Sequence, residues 1–429
     1  MTKEEYKEKL VWLKTVPRTW AVKPLSVVTK EKSTKGHSGE LLSVYLDRGV
    51  IRASDGSLGT HAPSEEMGNY QVIEPGDFIL NNQQAWRGSV GVSFEHGIIS
   101  PAYLVLKLSE ELDWRYSNYL FRARPIVDQF MLASQGVGSI QRQIHAPSFK
   151  NVLTIVPPLE TQKSIAAFLD ERTKAIDELV AKKEKLIELL REKRQSLITQ
   201  VVTKGLDPKA KMKSSGIDWL GNVPSGWEKL PLKFLFSYQS GGVWGDEARG
   251  DANDVICVRV ADFDFIEFVA HSDDFTFRNV PDIKQELILD KDSILLEKSG
   301  GGDQQPVGRA VRYLGIDKAT CSNFIQKLQV NKKYNSEFVI LLLSMLYFNA
   351  VTMKVIKKTT GIQNLDLSAF LRTDIFMPSD AEQKKIVEFI NTKSQKMTDA
   401  MKEITRQIEQ LKEYRSSLIY SAVTGKIKI

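Results

Sequence analysis

Glu160-Thr161-Gln162-Lys163-Ser164-Ile165-Ala166-Ala167-Phe168-Leu169 has a second copy in the same chain, Ala381-Glu382-Gln383-Lys384-Lys385-Ile386-Val387-Glu388-Phe389-Ile390. The spacing from Gln162 to Gln383, 221 positions, holds without a gap for some forty residues. It carries Leu190 onto Leu411, Arg194 onto Arg415, Ser196-Leu197-Ile198 onto Ser417-Leu418-Ile419 and Val202-Thr203 onto Val423-Thr424. A period this long is not that of a solenoid. It marks a duplicated half-molecule. A fainter repeat precedes each half: Trp12-Leu13, Val16-Pro17, Trp20 and Pro24-Leu25 recur as Trp219-Leu220, Val223-Pro224, Trp227 and Pro231-Leu232, at a spacing of 207. Each half thus reads as a Trp/Pro strap, a globular body and a shared tail. The bodies, about Trp20 to Pro157 and Trp227 to Met377, have almost no sequence resemblance to one another.

Both tails have the pattern of long helices. Ile165, Leu169, Ile176, Leu179, Leu186, Leu190 and Leu197 suggest a heptad seam, repeated as Ile386, Ile390, Met397, Ala400, Ile404, Leu411, Tyr414 and Leu418. Neither tail contains Pro, and Gly205 and Gly425 stand where a helix would stop. At 1.5 Å per residue, Thr161 to Thr203 would span about 65 Å. A single-striped helix of that length needs a partner. Its own body or a tail of another chain is one alternative; the matched register makes the other tail of this chain, running antiparallel, the expected one. Lys204 to Gly216, rich in Gly, Pro, Lys and Ser, reads as an exposed linker.

The bodies read as mixed α/β. Strands are expected at 41–46, 76–80, 91–94 and 102–108, and at 255–260, 293–296 and 324–330. A helix should follow the last strand of each body, at 117–131 and 336–355. The resulting division is 1–157, 158–213, 214–377 and 378–429, an α+β chain of two bodies and two helical segments.

Bulk properties exclude several classes. A 429-residue chain has room for two to four domains. Lys and Arg outnumber Asp and Glu by 59 to 53, which permits a polyanionic partner without requiring one. Cys257 and Cys321 cannot build a disulfide framework or a four-ligand zinc site, which points to a reducing cytoplasm. The first residues lack the apolar stretch of a signal peptide. The most apolar run, Phe338 to Phe348, is half a membrane span and reads as a core helix.

Catalytic motifs are lacking. There is no methyltransferase cofactor loop or Asn-Pro-Pro-aromatic motif, and Thr424-Gly425-Lys426 lacks the upstream glycine of a phosphate loop. Gly300-Gly301-Gly302-Asp303 opens no dinucleotide fingerprint. Pro281-Asp282 with Glu297-Lys298 misses the spacing of a nuclease core. His37, His61, His96, His145 and His271 show no metal-ligand spacing. No cofactor, no metal and no enzymatic activity of its own are expected.

The arrangement resembles the specificity subunit of a type I restriction-modification system. The resemblance rests on Pro158-Leu159-Glu160-Thr161-Gln162-Lys163 and Ser196-Leu197-Ile198, with their partners Glu382-Gln383-Lys384-Lys385-Ile386 and Ser417-Leu418-Ile419. Val423-Thr424-Gly425-Lys426-Ile427 and Gly216-Ile217-Asp218-Trp219-Leu220-Gly221-Asn222-Val223-Pro224 add to it. It covers the whole chain, although Val11-Trp12-Leu13-Lys14 departs from the fuller second strap. The resemblance implies two target-recognition domains, each reading half of a split, asymmetric sequence in double-stranded DNA. It also implies a pseudo-twofold coiled-coil spacer of two antiparallel helices. Two methyltransferase subunits would dock on it, and restriction-translocase subunits through them.

Base edges are read by Arg, Asn and Gln, whereas Lys and Ser mostly hold phosphates. In the first body such residues gather at Asn81, Asn82, Gln83, Gln84 and Arg87, leaving a strand, and at Gln141, Arg142 and Gln143 within the stretch that begins at Ser139. The second body has Lys298, Ser299, Gln304, Gln305 and Arg309, and then Lys357, Lys358, Thr359, Thr360, Gln363 and Asn364. These four stretches fall at corresponding places in the halves and are the expected DNA contacts. Arg48, Arg52, Arg249 and Arg259 are weaker candidates. A scaffold whose bodies bind protein is the alternative.

Overall fold

The computed structural model describes residues 10–36, 38–46, 48–55, 69–137, 141–271, 274–291, 293–315, 317–359 and 362–429. The chain is α+β and divides into two compact units, one of residues 1–184 with 405–429, the other of residues 185–404. Each long helix, Leu159–Lys204 and Asp380–Val423, contributes one part to each unit. No helix among the described residues is long and apolar enough to cross a membrane.

In the first unit an antiparallel sheet runs in the order Thr29–Glu31, Tyr103–Leu108, Asp77–Asn81, Val90–Val92. Its strands alternate between two cores. Phe78 and Leu80 face the helices, where the Phe78 ring stacks on Phe121 at 4.2 Å. Ile79 and Val105 face the hairpin Leu42–Tyr45/Gly49–Arg52. The second unit builds the same sheet from Phe236–Gly241, Ile325–Val330, Ser293–Glu297 and Ala310–Arg312, and extends it with Val269–Ala270 and Phe263–Asp264. All seven strands expected from the sequence are present, their ends shifted by no more than two residues.

The two bodies share more than strand order. Thr29 pairs with Leu108 and Asp77 with Lys107 in the first; Phe236 pairs with Val330 and Ser293 with Gln329 in the second. The last strands therefore take their neighbours at the same residues. Likewise Ala21 pairs with Val156, and Glu228 with Met377. The two spacings found in the sequence, 207 for the straps and 221 for the tails, thus meet across one pair of strands in each unit. The bodies are copies whose letters have diverged while the inward/outward alternation stayed.

The repeated glutamine that opens each tail is a joint. Gln162 is buried; its Oε1 accepts from the Asp113 N–H at 2.8 Å, and its Nε2 donates to the Glu111 and Pro157 carbonyls, both at 2.8 Å. Gln383 is buried in the same way, accepting from the Asn335 N–H at 3.0 Å and donating to the Pro378 carbonyl at 3.0 Å. Asp113 and Asn335 are themselves the N-caps of the helices Trp114–Arg122 and Ser336–Phe348. One side chain thus ties the first turn of a long helix to the first turn of a body helix.

The straps hold the other ends. Gly205 and Gly425 have φ of +73° and +72°, the left-handed conformation that ends a helix without Cβ strain. A Cβ on Gly425 would stand 2.4 Å from Pro17 Cδ and 3.0 Å from Trp20 Cη2; one on Gly205 would stand 3.5 Å from Trp227 Cζ2 and 3.7 Å from Pro224 Cγ. The Pro/Trp pair of each strap is the seat for a long helix's terminal glycine.

Two sequence expectations are corrected. The helix expected at 117–131 is two helices, Trp114–Arg122 and Arg124–Leu132, broken at Ala123 with ψ of 141° just before Arg124-Pro125. Proline supplies no N–H and starts a helix better than it continues one. The helix expected at 336–355 ends at Phe348, two residues before Ala350 at φ of +55°, and resumes only as the short turn Thr352–Val355.

The heptad positions expected in the long helices are buried or half-buried except Leu179, Leu186 and Tyr414. Leu179 and Leu186 are 42% and 45% exposed, while Val180 is buried. A stripe repeating every eleven residues also runs inward, through Ile165, Ile176, Ile187 and Ile198 in one helix and Ile386, Met397, Ile408 and Ile419 in the other; all eight are buried or half-buried. Eleven residues in three turns lies close to the natural 3.6 of a straight α-helix, whereas a heptad drifts off it. Within the first unit the helices run antiparallel: Asp177 accepts from Arg415 Nε at 2.8 Å and Nη2 at 3.2 Å, and Lys183 donates to Gln407 at 2.6 Å.

Candidate nucleic-acid interface

In the first unit the strand Asp77–Asn81 runs into a tight turn, Asn82 to Gln84, and the 3-10 turn Ala85–Arg87. Asn81 Oδ1 accepts from the Gln83 N–H at 3.0 Å, an Asx turn that leaves the Gln83 and Gln84 side chains exposed. The hairpin Ser134–Val137/Gln141–Ile144 stands beside it, tied by the Ile144 N–H to the Asn82 carbonyl at 3.2 Å. Trp86 joins the two stretches. The guanidiniums of Arg87 and Arg142 lie 5.7 and 5.8 Å from its ring, and its Nε1 donates to the Gln83 carbonyl at 2.9 Å. Two stretches sixty residues apart in sequence therefore form one patch, with Gln83, Gln84, Arg87 and Gln143 exposed. Gln141 pairs with Val137 through its backbone. Ser139 lies outside the described residues.

The second unit repeats the arrangement. Ser299–Gly300, just after the strand Ser293–Glu297, pairs with one strand of the hairpin Ile356–Thr359/Ile362–Leu365, Ser299 opposite Asn364 and Gly300 opposite Gln363. Many of its side chains are occupied. Arg309 grips the buried Glu297 with two bonds, of 2.8 and 3.1 Å, and packs 4.4 Å from the Phe265 ring. Gln363 is buried and accepts from the Val307 N–H at 3.3 Å. Ser299 Oγ and Asn364 Oδ1 are 2.6 Å apart, and Lys298 reaches Gln326 at 3.3 Å. Lys357 pairs with Asp366 at 2.8 Å and Lys358 with Asp303 at 2.5 Å, holding both carboxyls below the usual range. These are surface pairs of small stabilising effect that a phosphate could compete for. Gln304 and Gln305 are exposed. Thr359 pairs with Ile362 through its backbone, and Thr360 lies outside the described residues.

The weaker candidates are engaged as well. Arg52 pairs with Glu95 at 3.2 Å, Arg249 with Asp246 at 3.2 Å and Arg259 with Asp262 at 2.9 Å, while Arg48 donates to the Asp55 carbonyl. Sequence reading overlooked a cleft of about 790 Å³ in the first unit that adjoins Asn82 and carries Lys30, Lys35 and Lys150 with Tyr103. Its lysines are scattered over some 120 residues, so no local pattern marks them. Trp244, partly exposed with Arg278 4.6 Å from its ring, was also missed.

A family model described as the type I restriction modification DNA specificity domain matches residues 224–410. The type I restriction enzyme MjaVIII specificity subunit of Methanocaldococcus jannaschii is 25% identical over 393 residues, covering 90% of this chain and 86% of that protein. The StySPI specificity subunit of Salmonella potsdam is 20% identical over 432 residues, covering 96% of this chain and 90% of its own. A solved structure described as showing complex assembly and conformational transition of the type I R-M system has the same fold, at a TM-score of 0.67 and 15% identity over 96% of this chain and 99% of that one. Residues 224–410 thus match the type I restriction modification DNA specificity domain, and the chain is similar along nearly its whole length to curated type I restriction enzyme specificity subunits.

Proposed function

We propose that this chain is the DNA-reading subunit of a type I restriction-modification complex and carries no catalytic step itself. Each body reads one half of a split, asymmetric double-stranded target. The duplicated frame docks two methyltransferase subunits, and restriction subunits through them. The observation that supports the reading best is the pairing of loop and hairpin. Two bodies of one fold carry a polar turn beside a hairpin at the same place, one with Gln83, Gln84 and Arg87 exposed, the other with Gln304 and Gln305. Like scaffolds with unlike readers suit a target of two unlike words. Amide and guanidinium groups are the side chains that make paired bonds to base edges.

Footprinting on random-sequence DNA with the methyltransferase present should yield two protected words separated by a degenerate gap. A single continuous site would overturn the bipartite reading. Affinity should also fall steeply with salt, as phosphate contacts require. The helical frame sets the spacing in this proposal. Inserting four residues, about one helical turn, after Thr203 is expected to lengthen the degenerate gap. Binding that survives with the gap unchanged would dismiss the helices as the ruler.

A further inference from the structure

The repeat offers an internal control for one arginine. Arg415 in the first unit and Arg194 in the second are equivalent positions of the tails. Arg415 has a two-point partner in the Asp177 carboxylate, at 2.8 and 3.2 Å. The spacing that carries Arg194 onto Arg415 carries Asp177 onto Thr398, a buried residue that cannot supply a charge. Arg194 is largely buried, and its Nε has no hydrogen-bond partner; burial lowers its pKa. The neighbouring Gln195 bonds Ser344 through Oε1 at 3.3 Å, but its Nε2 is also buried without a partner. Unmatched buried donors are costly and uncommon.

Both residues line a cavity of about 1010 Å³ that lies within the second unit. Its apolar wall is Phe263, Phe265, Phe268, Phe348 and Met401. Phe268 packs 4.7 Å from the Arg194 guanidinium and holds φ of +56°, a region bulky residues avoid and that gathers at ligand sites. A large apolar cavity with a few convergent donors is the usual form of a small-molecule site. Its other charged lining is mixed: Glu188, Arg191 and Glu192 are exposed, Glu188 paired with Lys185 at 2.6 Å. Asp264 is turned to its own backbone, accepting from the Ile266 and Glu267 N–H groups at 2.7 and 2.9 Å. This mixed lining leaves the unpartnered Nε of Arg194 open to a single carboxylate.

We propose that this cavity binds a small organic carboxylate on an aromatic or branched apolar body, whose carboxylate meets Arg194 and Gln195 as Asp177 meets Arg415. The probes are 4-phenylbutyrate and its neutral amide, titrated into the full chain and followed by calorimetry. The acid should bind saturably, one per chain, and about tenfold or more tighter than the amide, as a charge-assisted pair requires. Arg194→Met should erase that preference with little change in thermal stability, because it removes a largely buried guanidinium whose Nε has no hydrogen-bond partner. Thr398→Asp should block the acid from within by restoring the carboxylate found in the first unit. Equal binding of acid and amide, a preference that survives Arg194→Met, or no binding of either at millimolar concentration would each overturn the proposal. None of these outcomes bears on DNA reading, which the footprint tests separately.

Discussion

Replacing Arg309 by Met is expected to lower the urea midpoint of the protein by the equivalent of about 3–5 kcal/mol, the cost of leaving one member of a buried ion pair alone. Glu297 is 2% exposed and lies in the central sheet of the second unit, so its charge has no route to water. Arg309 meets it from across the Gly300 loop with both ends of its guanidinium, one face covered by Phe265. The double variant Glu297→Leu/Arg309→Met should recover most of the loss, because the charge is then gone as well as its partner. Arginine in a polar loop is also a natural base reader, and the two roles separate cleanly. A single variant of unchanged stability that loses sequence preference would make Arg309 a reader instead of a strut.

The joint glutamines should behave alike. Gln162→Leu removes three bonds and strands the Asp113 N–H with the Glu111 and Pro157 carbonyls, at an expected cost of about 2–4 kcal/mol. Gln383→Leu removes two and should cost about 1–3 kcal/mol. Urea denaturation followed by circular dichroism measures both. Exposed Gln83→Leu serves as the control, expected within about 0.5 kcal/mol of the parent. If Gln162→Leu were as harmless as the control, the repeated glutamine would not be the joint.

These two cases show where sequence reading stops. The frame was legible because it is written twice: Gln162 and Gln383, Gly205 and Gly425, and the two Trp/Pro straps all stood out by repetition. What each grips was not, since Asp113 and Pro17 lie far away in the chain from Gln162 and Gly425. The common fold of the bodies was hidden because a sheet needs only the right alternation at the right register, which Phe78-Ile79-Leu80 and Ile294-Leu295-Leu296 meet with different letters. The apolar stripe of the long helices was legible except at Leu179, Leu186 and Tyr414, which suit a heptad on paper but are exposed. Inward Arg309 and Gln363 could not be told from outward Gln304 and Gln305, because polar letters carry no sign of what pairs with them.

The two units also differ in when they can be completed. Residues 185–404 form one uninterrupted stretch, so the second unit has all its parts once Ile404 has been synthesised. The first unit draws on both ends of this sequence. Its core includes Ala422 and Val423 beside Tyr116, whose hydroxyl donates to the Val423 carbonyl at 3.2 Å. Until the ribosome has released those residues, the apolar seat around Tyr116, Pro17 and Trp20 stays open. The half that is made first is therefore finished last, and during translation it is the one exposed to proteases and chaperones.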